Sequence, residues 1–169
     1  QHGAMISSAR GTKLAVVGAG SVGATLAYAA LIRGLARTVV LYDVDATKVR
    51  AEELDLRQGL QFMPAAHVEG SDDIGICAGA DIIAVTAGAK QRPGQSRLDL
   101  AASTTELMRT LMPQLVEVAP DAVVLMVTNP VDVITYVAQQ LTGLPPHRLF
   151  GSGTVLDSSR LRFLISREC

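Results

Sequence analysis

A doubly wound, parallel α/β sheet is the fold class this sequence predicts, and three observations predict it. Short apolar runs stop at glycine, aspartate or asparagine, and a segment with helical spacing follows nearly every one. The strongest runs are apolar throughout rather than alternating, the mark of strands buried on both faces. Strands that alternate with helices pair in parallel through right-handed crossovers, so the C-terminal ends of the strands meet at one edge of the sheet.

Taken in order, Leu14 to Val17 is the first strand, and it stops at Gly18. Val22 to Arg33 follows as an alanine-rich helix closed by Gly34. Thr38 to Tyr42 is a second strand ending at Asp43. Ala46 to Leu60 reads as a helix with Lys48, Arg50, Glu52 and Glu53 on a charged side, leaving Val49, Leu54 and Leu56 for the core. His67 to Glu69 is a short strand and Asp81 to Thr86 a clearer one. Gly88 to Ser96 is a polar loop with a Pro93-Gly94 turn signal. Leu98 to Val118 is a long helix that Pro113 is expected to kink or interrupt. Ala122 to Val127 is a strand that runs into Thr128-Asn129-Pro130, and Val131 to Leu141 is helical. Arg148 to Phe150 is the last strand before Gly151-Ser152-Gly153, and Val155 to Arg167 the last helix.

Composition narrows the function. Of 169 residues, 49% are hydrophobic and 18% charged, enough for a packed core. A formal net charge of −1 offers no basic face to a nucleic acid or an anionic membrane. Aromatic residues make up 4% and tryptophan is absent, so there are few stacking platforms for bases. No apolar run approaches the roughly 20 residues that span a bilayer. Residues 1–10 are short on apolar character and are read as a disordered N-terminus, with Gln1 to Ala4 a cloning remnant ahead of Met5. Cys77 and Cys169 match no metal or redox spacing, so no metal is expected and a reducing cytoplasm is the simpler home. Residues 11–151 form the expected nucleotide-binding domain. Residues 152–169 form the expected start of a second, substrate domain, which reads as truncated.

Gly18-Ala19-Gly20-Ser21-Val22-Gly23 fits G-x-G-x-x-G. A strand precedes it, a helix follows, and Asp43 ends the next strand 20 residues beyond Gly23. That context turns a weak motif into a Rossmann-type dinucleotide site. Gly18 permits the tight turn, Gly20 lets backbone approach a pyrophosphate, and Gly23 allows close helix–strand packing. The helix N-terminus then presents free N–H groups to the phosphates. Asp43 would accept hydrogen bonds from the adenosine ribose and repel a 2′-phosphate, so NAD is predicted over NADP.

Three further segments follow strands and carry unusual polar chemistry. The first is the lid-like loop Thr86 to Leu100, which holds Gln91 and Arg97. The second is Val127-Thr128-Asn129-Pro130-Val131-Asp132. The third, Gly151 to Arg160, holds Ser152 and an Asp157–Arg160 pair three residues apart. Singly, each has an ordinary reading as a turn former or a solvated ion pair. Together, from about Lys13 to Glu168, they resemble the lactate/malate dehydrogenase family, and within it the bacterial L-lactate dehydrogenases.

The resemblance implies reversible hydride transfer between NADH and C2 of pyruvate, giving L-lactate, in glycolysis and fermentation. It implies that Arg97 polarises the ketone oxygen, that Arg160 grips the substrate carboxylate through paired hydrogen bonds, and that Asn129 bonds the substrate oxygen. Asp157 would orient the catalytic histidine, and Asp132 belongs to the implied substrate set. On the cofactor side it implies Gly18, Gly20, Val22, Gly23, Asp43, Lys48, Gly88, Ala89, Val127, Asn129 and Ser152. Arg162 matches an arginine that helps bind a fructose 1,6-bisphosphate effector in some bacterial relatives. A homo-oligomer, a tetramer, is implied for the full-length enzyme. Neutral Gln91 stands where malate dehydrogenases carry an arginine for a second carboxylate, which favours pyruvate's methyl group.

One element departs from the family's pattern. The proton-donating histidine lies in a Gly-Glu-His-Gly segment that would fall beyond Cys169. His2, His67 and His147 do not match it, so the chain alone is expected to be nearly inactive. Three other readings stand beside this one: a malate dehydrogenase, an NAD-dependent glycoside hydrolase with a similar N-terminal domain, and a non-catalytic NAD-binding module.

Overall fold

Why the strands share one level at the sheet edge follows from their register. The structure, a computed structural model, describes residues 11–89, 94 and 96–168. The strands among these residues are β1 (Lys13–Val17), β2 (Thr38–Tyr42), β3 (His67–Ser71), β4 (Ile82–Val85), β5 (Val123–Met126) and β6 (Leu149–Gly151). They form one sheet in the order β3-β2-β1-β4-β5-β6, and every pairing is parallel. Val17 is level with Tyr42 and with Val85, Val85 with Met126, and Met126 with Gly151. Parallel register therefore places Gly18, Asp43, Thr86, Val127 and Ser152 in one row just past the strand ends. The chain reverses its direction of winding between β1 and β4, and a crevice opens at such a point.

Among the described residues the α-helices are α1 (Ser21–Ile32), α2 (Ala46–Gly59), α3 (Arg97–Val118), α4 (Val131–Thr142) and α5 (Val155–Glu168). Alternate strand residues divide the core in two. On one face Val16, Val39 and Leu41 pack with Ala27 and Leu31 of α1 and Val49 and Leu56 of α2. On the other, Val17, Val40, Ile83 and Val85 pack with Met108, Met112 and Leu115 of α3 and Ile134 of α4. The doubly wound α/β class expected from the sequence is the observed one.

Local chemistry sets the helix ends. Asp45 caps α2 by accepting from the Lys48 N–H at 3.0 Å. Ser96 and Asp99 form a reciprocal capping box at the start of α3. The hydrogen bonds from Ser96 hold the exposed Asp99 carboxyl below its ordinary pKa. Gly143, at φ 66°, closes α4 in the left-handed region.

Two expectations are corrected. Pro113 does not end or divide the helix: α3 runs unbroken from Arg97 to Val118. Pro113 is exposed, while Met108, Leu111, Met112 and Leu115 hold the helix to the sheet. In α2, Glu53 does not lie on the charged side. It is 2% exposed, whereas Leu54 is 43% exposed. Spacing decides this, because residues 49, 53 and 56 share the inward face of a helix. Residue 54 is rotated off that face. Arg50 and Arg57 both ion-pair with Glu53 from above, Arg57 at 3.0 Å. Gly70 of β3 makes room: a Cβ there would lie 3.0 Å from the Glu53 Cβ and 2.9 Å from the Val49 carbonyl oxygen.

The two arginines are half-exposed, so they re-solvate if Glu53 is removed. Glu53→Ala is therefore expected to cost about 1–3 kcal/mol, less than breaking a fully buried pair. Urea denaturation of the two chains measures it. An unchanged midpoint would mean that the clamp contributes nothing.

Candidate cofactor and substrate site

The cleft at the β1/β4 reversal is built mainly from backbone. Gly18 adopts φ 99°, a left-handed conformation open to glycine. A Cβ there would lie 2.6 Å from the Ala87 nitrogen, so the chain leaving β4 lies directly against the turn. At Gly23, in the first turn of α1, a Cβ would run into the Gly18 carbonyl oxygen. At Gly20 the surroundings are open, with Lys48 Nζ the one heavy atom within reach, at 3.9 Å from a Cβ. The first and third glycines thus allow contact inside the protein, and the second leaves backbone free to meet a ligand.

Helix α1 has Gly20 as its N-cap, with no side-chain cap and no acidic residue in its first turn. Its first N–H groups and the positive end of its dipole are therefore offered to an anion. A cleft of about 550 Å³ lies before them, walled by the glycine turn, Val22, Asp43, Lys48 and Gly88. Ligand pockets span roughly 300–1,000 Å³. Tyr42, Val44, Leu107 and Leu111 add an apolar wall. A polar turn, a carboxylate and an apolar slot along one cleft fit a dinucleotide.

Asp43 is the best-held side chain here. Its carboxylate accepts from the Ala19 N–H at 2.8 Å, the Asp45 N–H at 3.1 Å and Lys48 Nζ at 2.8 Å. Burial pushes the carboxyl upward, but the hydrogen bonds from Lys48, Asp45 and Ala19 outweigh it and hold the pKa below 3.8. Lys48 is more than a solvated helix residue: its ammonium spans Asp43 and the glycine turn. Deeper in the protein, burial raises the Tyr42 hydroxyl, with Cys77 adding to the effect, and raises the Cys77 thiol to about 11. That thiol is buried and is no nucleophile at neutral pH.

The remaining sequence-predicted residues divide into three groups. Ala89 follows Gly88, and its N–H donates to Thr104 Oγ1 at 3.4 Å. Val127 and Ser152 hydrogen-bond to the strand ends through Val127 N–H to Val85 O and Ser152 N–H to Met126 O. Asn129 is exposed beside a cis bond to Pro130, and Asp132 lies in the first turn of α4. These share the sheet edge with the cleft but do not line it. Asp157, Arg160 and Arg162 lie on α5, which has no buried residue. Arg160 and Asp157 form an exposed pair at 3.3 Å, the ordinary reading of their spacing. Arg97 begins α3, and Gln91 lies outside the described residues. Among the described residues, no group of three or more His, Cys, Asp or Glu is placed to hold a metal, and no helix is long and apolar enough to cross a membrane.

Sequence reasoning missed the apolar wall. Leu107 and Leu111 stood unremarked within the helix read from Leu98 to Val118, and no local signal separates a residue facing the cleft from one facing the sheet. It also passed over Thr86, although a threonine directly after a buried strand is a signal for a side chain that bonds backbone.

An open glycine turn at a helix N-terminus, with a carboxylate closing the neighbouring strand, defines a dinucleotide-binding α/β domain. The sequence profile of the lactate/malate dehydrogenase NAD binding domain matches residues 12–151, and the chain belongs to that family. NAD is accordingly the cofactor for which this domain is built. The L-lactate dehydrogenase of Bifidobacterium animalis subsp. lactis is 54% identical over 157 residues, 93% of this chain and 49% of the relative. That of a Synechococcus species is 44% identical over 156 residues, 92% and 51% of the two chains. Among solved structures, the minor L-lactate dehydrogenase of Enterococcus mundtii superposes with a TM-score of 0.88 at 35% identity, over 93% of this chain and 50% of that one. A lactate dehydrogenase from a Medee basin deep-sea metagenome library gives 0.86 at 37%, over 94% and 50%. The chain spans about half the length of the curated relatives it matches.

Two measurements test the site. Asp43→Ser removes the charge that would repel a 2′-phosphate. The NADPH-to-NADH affinity ratio is expected to rise about tenfold or more, and an unchanged ratio removes Asp43 from cofactor choice. For pH, a lowered folded pKa means that the stabilisation from ionised Asp43 is complete above 3.8 and fades as pH falls through the lowered value. NADH affinity is therefore expected to be independent of Asp43 between pH 8 and about 5, and a titration of that carboxyl near pH 6 contradicts the geometry.

Proposed function

We propose that the chain is the cofactor-binding half of an NAD-dependent L-lactate dehydrogenase. The observation that carries this is the open α1 N-terminus beside an ionised Asp43, in a chain whose similar relatives are L-lactate dehydrogenases. Residues 11–151 form the cofactor domain and 152–169 begin the substrate domain. When bound, NADH supplies the hydride that adds to C2 of pyruvate.

The chain's own residues hold and orient. The glycine turn and the α1 N–H groups bind the pyrophosphate, while Asp43 and Lys48 set the adenosine ribose. Gly88, Ala89, Val127, Asn129 and Ser152 line the path of the nicotinamide half along the sheet edge. Arg97 would polarise the ketone oxygen, where negative charge develops, and Asn129 would donate to the same oxygen, with Asp132 in the substrate set. Arg160 takes the carboxylate in a bidentate grip. Asp157 orients a histidine supplied from outside these residues and stabilises its protonated form. The full-length enzyme is a cytoplasmic homotetramer of glycolysis and fermentation, with Arg162 at a fructose 1,6-bisphosphate site.

Steady-state kinetics of the full-length protein with pyruvate and oxaloacetate test the reading. Pyruvate is expected to be preferred, and Gln91→Arg to shift kcat/KM toward oxaloacetate by about tenfold or more, since a buried carboxylate then gains a partner. A preference for oxaloacetate in the parent enzyme would favour the malate reading. The 169-residue chain is expected to bind NADH yet be nearly inactive toward pyruvate, and turnover at an ordinary enzymatic rate refutes the assigned division of labour. Stimulation by fructose 1,6-bisphosphate, lost in Arg162→Ala, checks the effector site.

A further inference from the structure

Three threonines surround the segment that leaves β4, and their hydroxyls are committed to backbone. Thr86 Oγ1 donates to the Gly18 carbonyl at 2.8 Å, with the Val17 carbonyl at 3.2 Å. Thr128, buried at the end of β5, donates through Oγ1 to the Ala87 carbonyl at 2.7 Å, with the Val85 carbonyl at 3.2 Å. Thr104, buried on α3, accepts from Ala89 N–H. The N–H groups of Thr86 and Ala87 both donate to Val17 O, at 2.8 and 2.9 Å. The Ala87 peptide is thus held from both sides, and Gly88 sits where a Cβ would lie 2.7 Å from the Thr128 methyl carbon.

The partner of Thr86 matters most. Gly18 O is the carbonyl pressed against Gly23 in the first turn of α1. A carbonyl swung into the cleft would present negative charge where α1 offers its positive end. The Thr86 hydroxyl, on the wall of the cleft, satisfies that oxygen within the protein. Thr128 does the same for Ala87 O, one residue before Gly88.

We infer that Thr86 and Thr128 are positioning residues for the cofactor: their hydroxyls hold two carbonyls out of the cleft, at the pyrophosphate turn and at the nicotinamide end respectively. The inference rests on the cofactor assignment and on the division of the cleft at the β1/β4 reversal. Asp43, at the end of β2, marks the adenosine side, and β4 and β5 mark the nicotinamide side. Neither threonine need touch the ligand to act. Removing the Thr86 hydroxyl frees the Gly18 carbonyl beneath the pyrophosphate and so weakens any ligand that carries one. Removing the Thr128 hydroxyl frees the Ala87 carbonyl and loosens the segment from Val85 to Ala89, away from the glycine turn. That weakens NADH and spares ADP-ribose, which lacks nicotinamide.

Calorimetric titration of the 169-residue chain with NADH and with ADP-ribose tests this, using Thr86→Val, Thr86→Ser, Thr128→Val and Thr128→Ser, with thermal unfolding measured in parallel. Thr86→Val is expected to weaken both ligands about tenfold, and Thr128→Val to weaken NADH about tenfold while ADP-ribose stays within about threefold. Each serine variant, which keeps the hydroxyl, is expected to bind within about threefold of the parent. Valine variants that lower the melting temperature but leave both affinities unchanged overturn the inference, because that is the signature of a merely structural hydroxyl. So does a Thr128→Val chain that loses ADP-ribose as strongly as NADH. If Thr86→Val does not fold, the Thr128 pair decides. Failure of the parent chain to bind NADH would instead overturn the cofactor reading, and this inference with it.

Discussion

The close approach of the Gly18 carbonyl to the first turn of α1 is the contact on which the rest of this structure depends. It is possible only because Gly23 has no Cβ and Gly18 accepts a positive φ. That contact brings the start of α1 tight against the end of β1. The helix N-terminus then opens toward the crevice between β1 and β4 rather than over the sheet. Everything that makes the crevice attract an anion follows: uncapped N–H groups, the positive end of the helix dipole, and room at Gly20 for a ligand to meet backbone.

One ion pair stands beside that opening. Asp43 and Lys48 neutralise each other at 2.8 Å, and two main-chain N–H groups hold the carboxylate ionised despite its burial. A fixed carboxylate with its own counter-ion can accept from a ribose hydroxyl without repelling the adjacent phosphates. Lys48, spanning the carboxylate and the glycine turn, ties those two requirements together. The same device recurs without a ligand at Glu53, where Arg50 and Arg57 compensate a buried carboxylate and pin α2 to the edge of the sheet.

Much of this was legible in the chain. Among the described residues the strands and helices fall close to where apolar runs and helical spacing put them, because the central strands are buried on both faces and so are apolar, whereas the edge strand β3 is half-exposed and left a weaker signal. The glycine turn and Asp43 were readable because their spacing follows from one unit of strand, helix and strand. Misreadings arose where residue type and position disagreed. Glu53 looked solvated by its charge and is buried by its place on the helix, while Leu54 looked buried and is exposed. Pro113 was expected to kink or interrupt its helix, and α3 runs through it without interruption, held by apolar residues on either side.

The sequence by itself determined the class of fold, the glycine turn and the carboxylate that closes β2. Each of these depends on residues near one another in the chain, on periodicity and on the absence of a side chain. Only the tertiary structure decided which side chains share the cleft and which hydroxyls hold its backbone. Leu107 and Leu111 join Val44 there, and Thr86 reaches Gly18 across 68 positions of sequence. Such contacts depend on strand register and helix packing between distant segments, which no local pattern encodes. The same reason separates the two halves of the proposed site. Asp43 is held by neighbours within the domain, whereas Asp157 and Arg160 stand exposed on α5, where no packing partner fixes them.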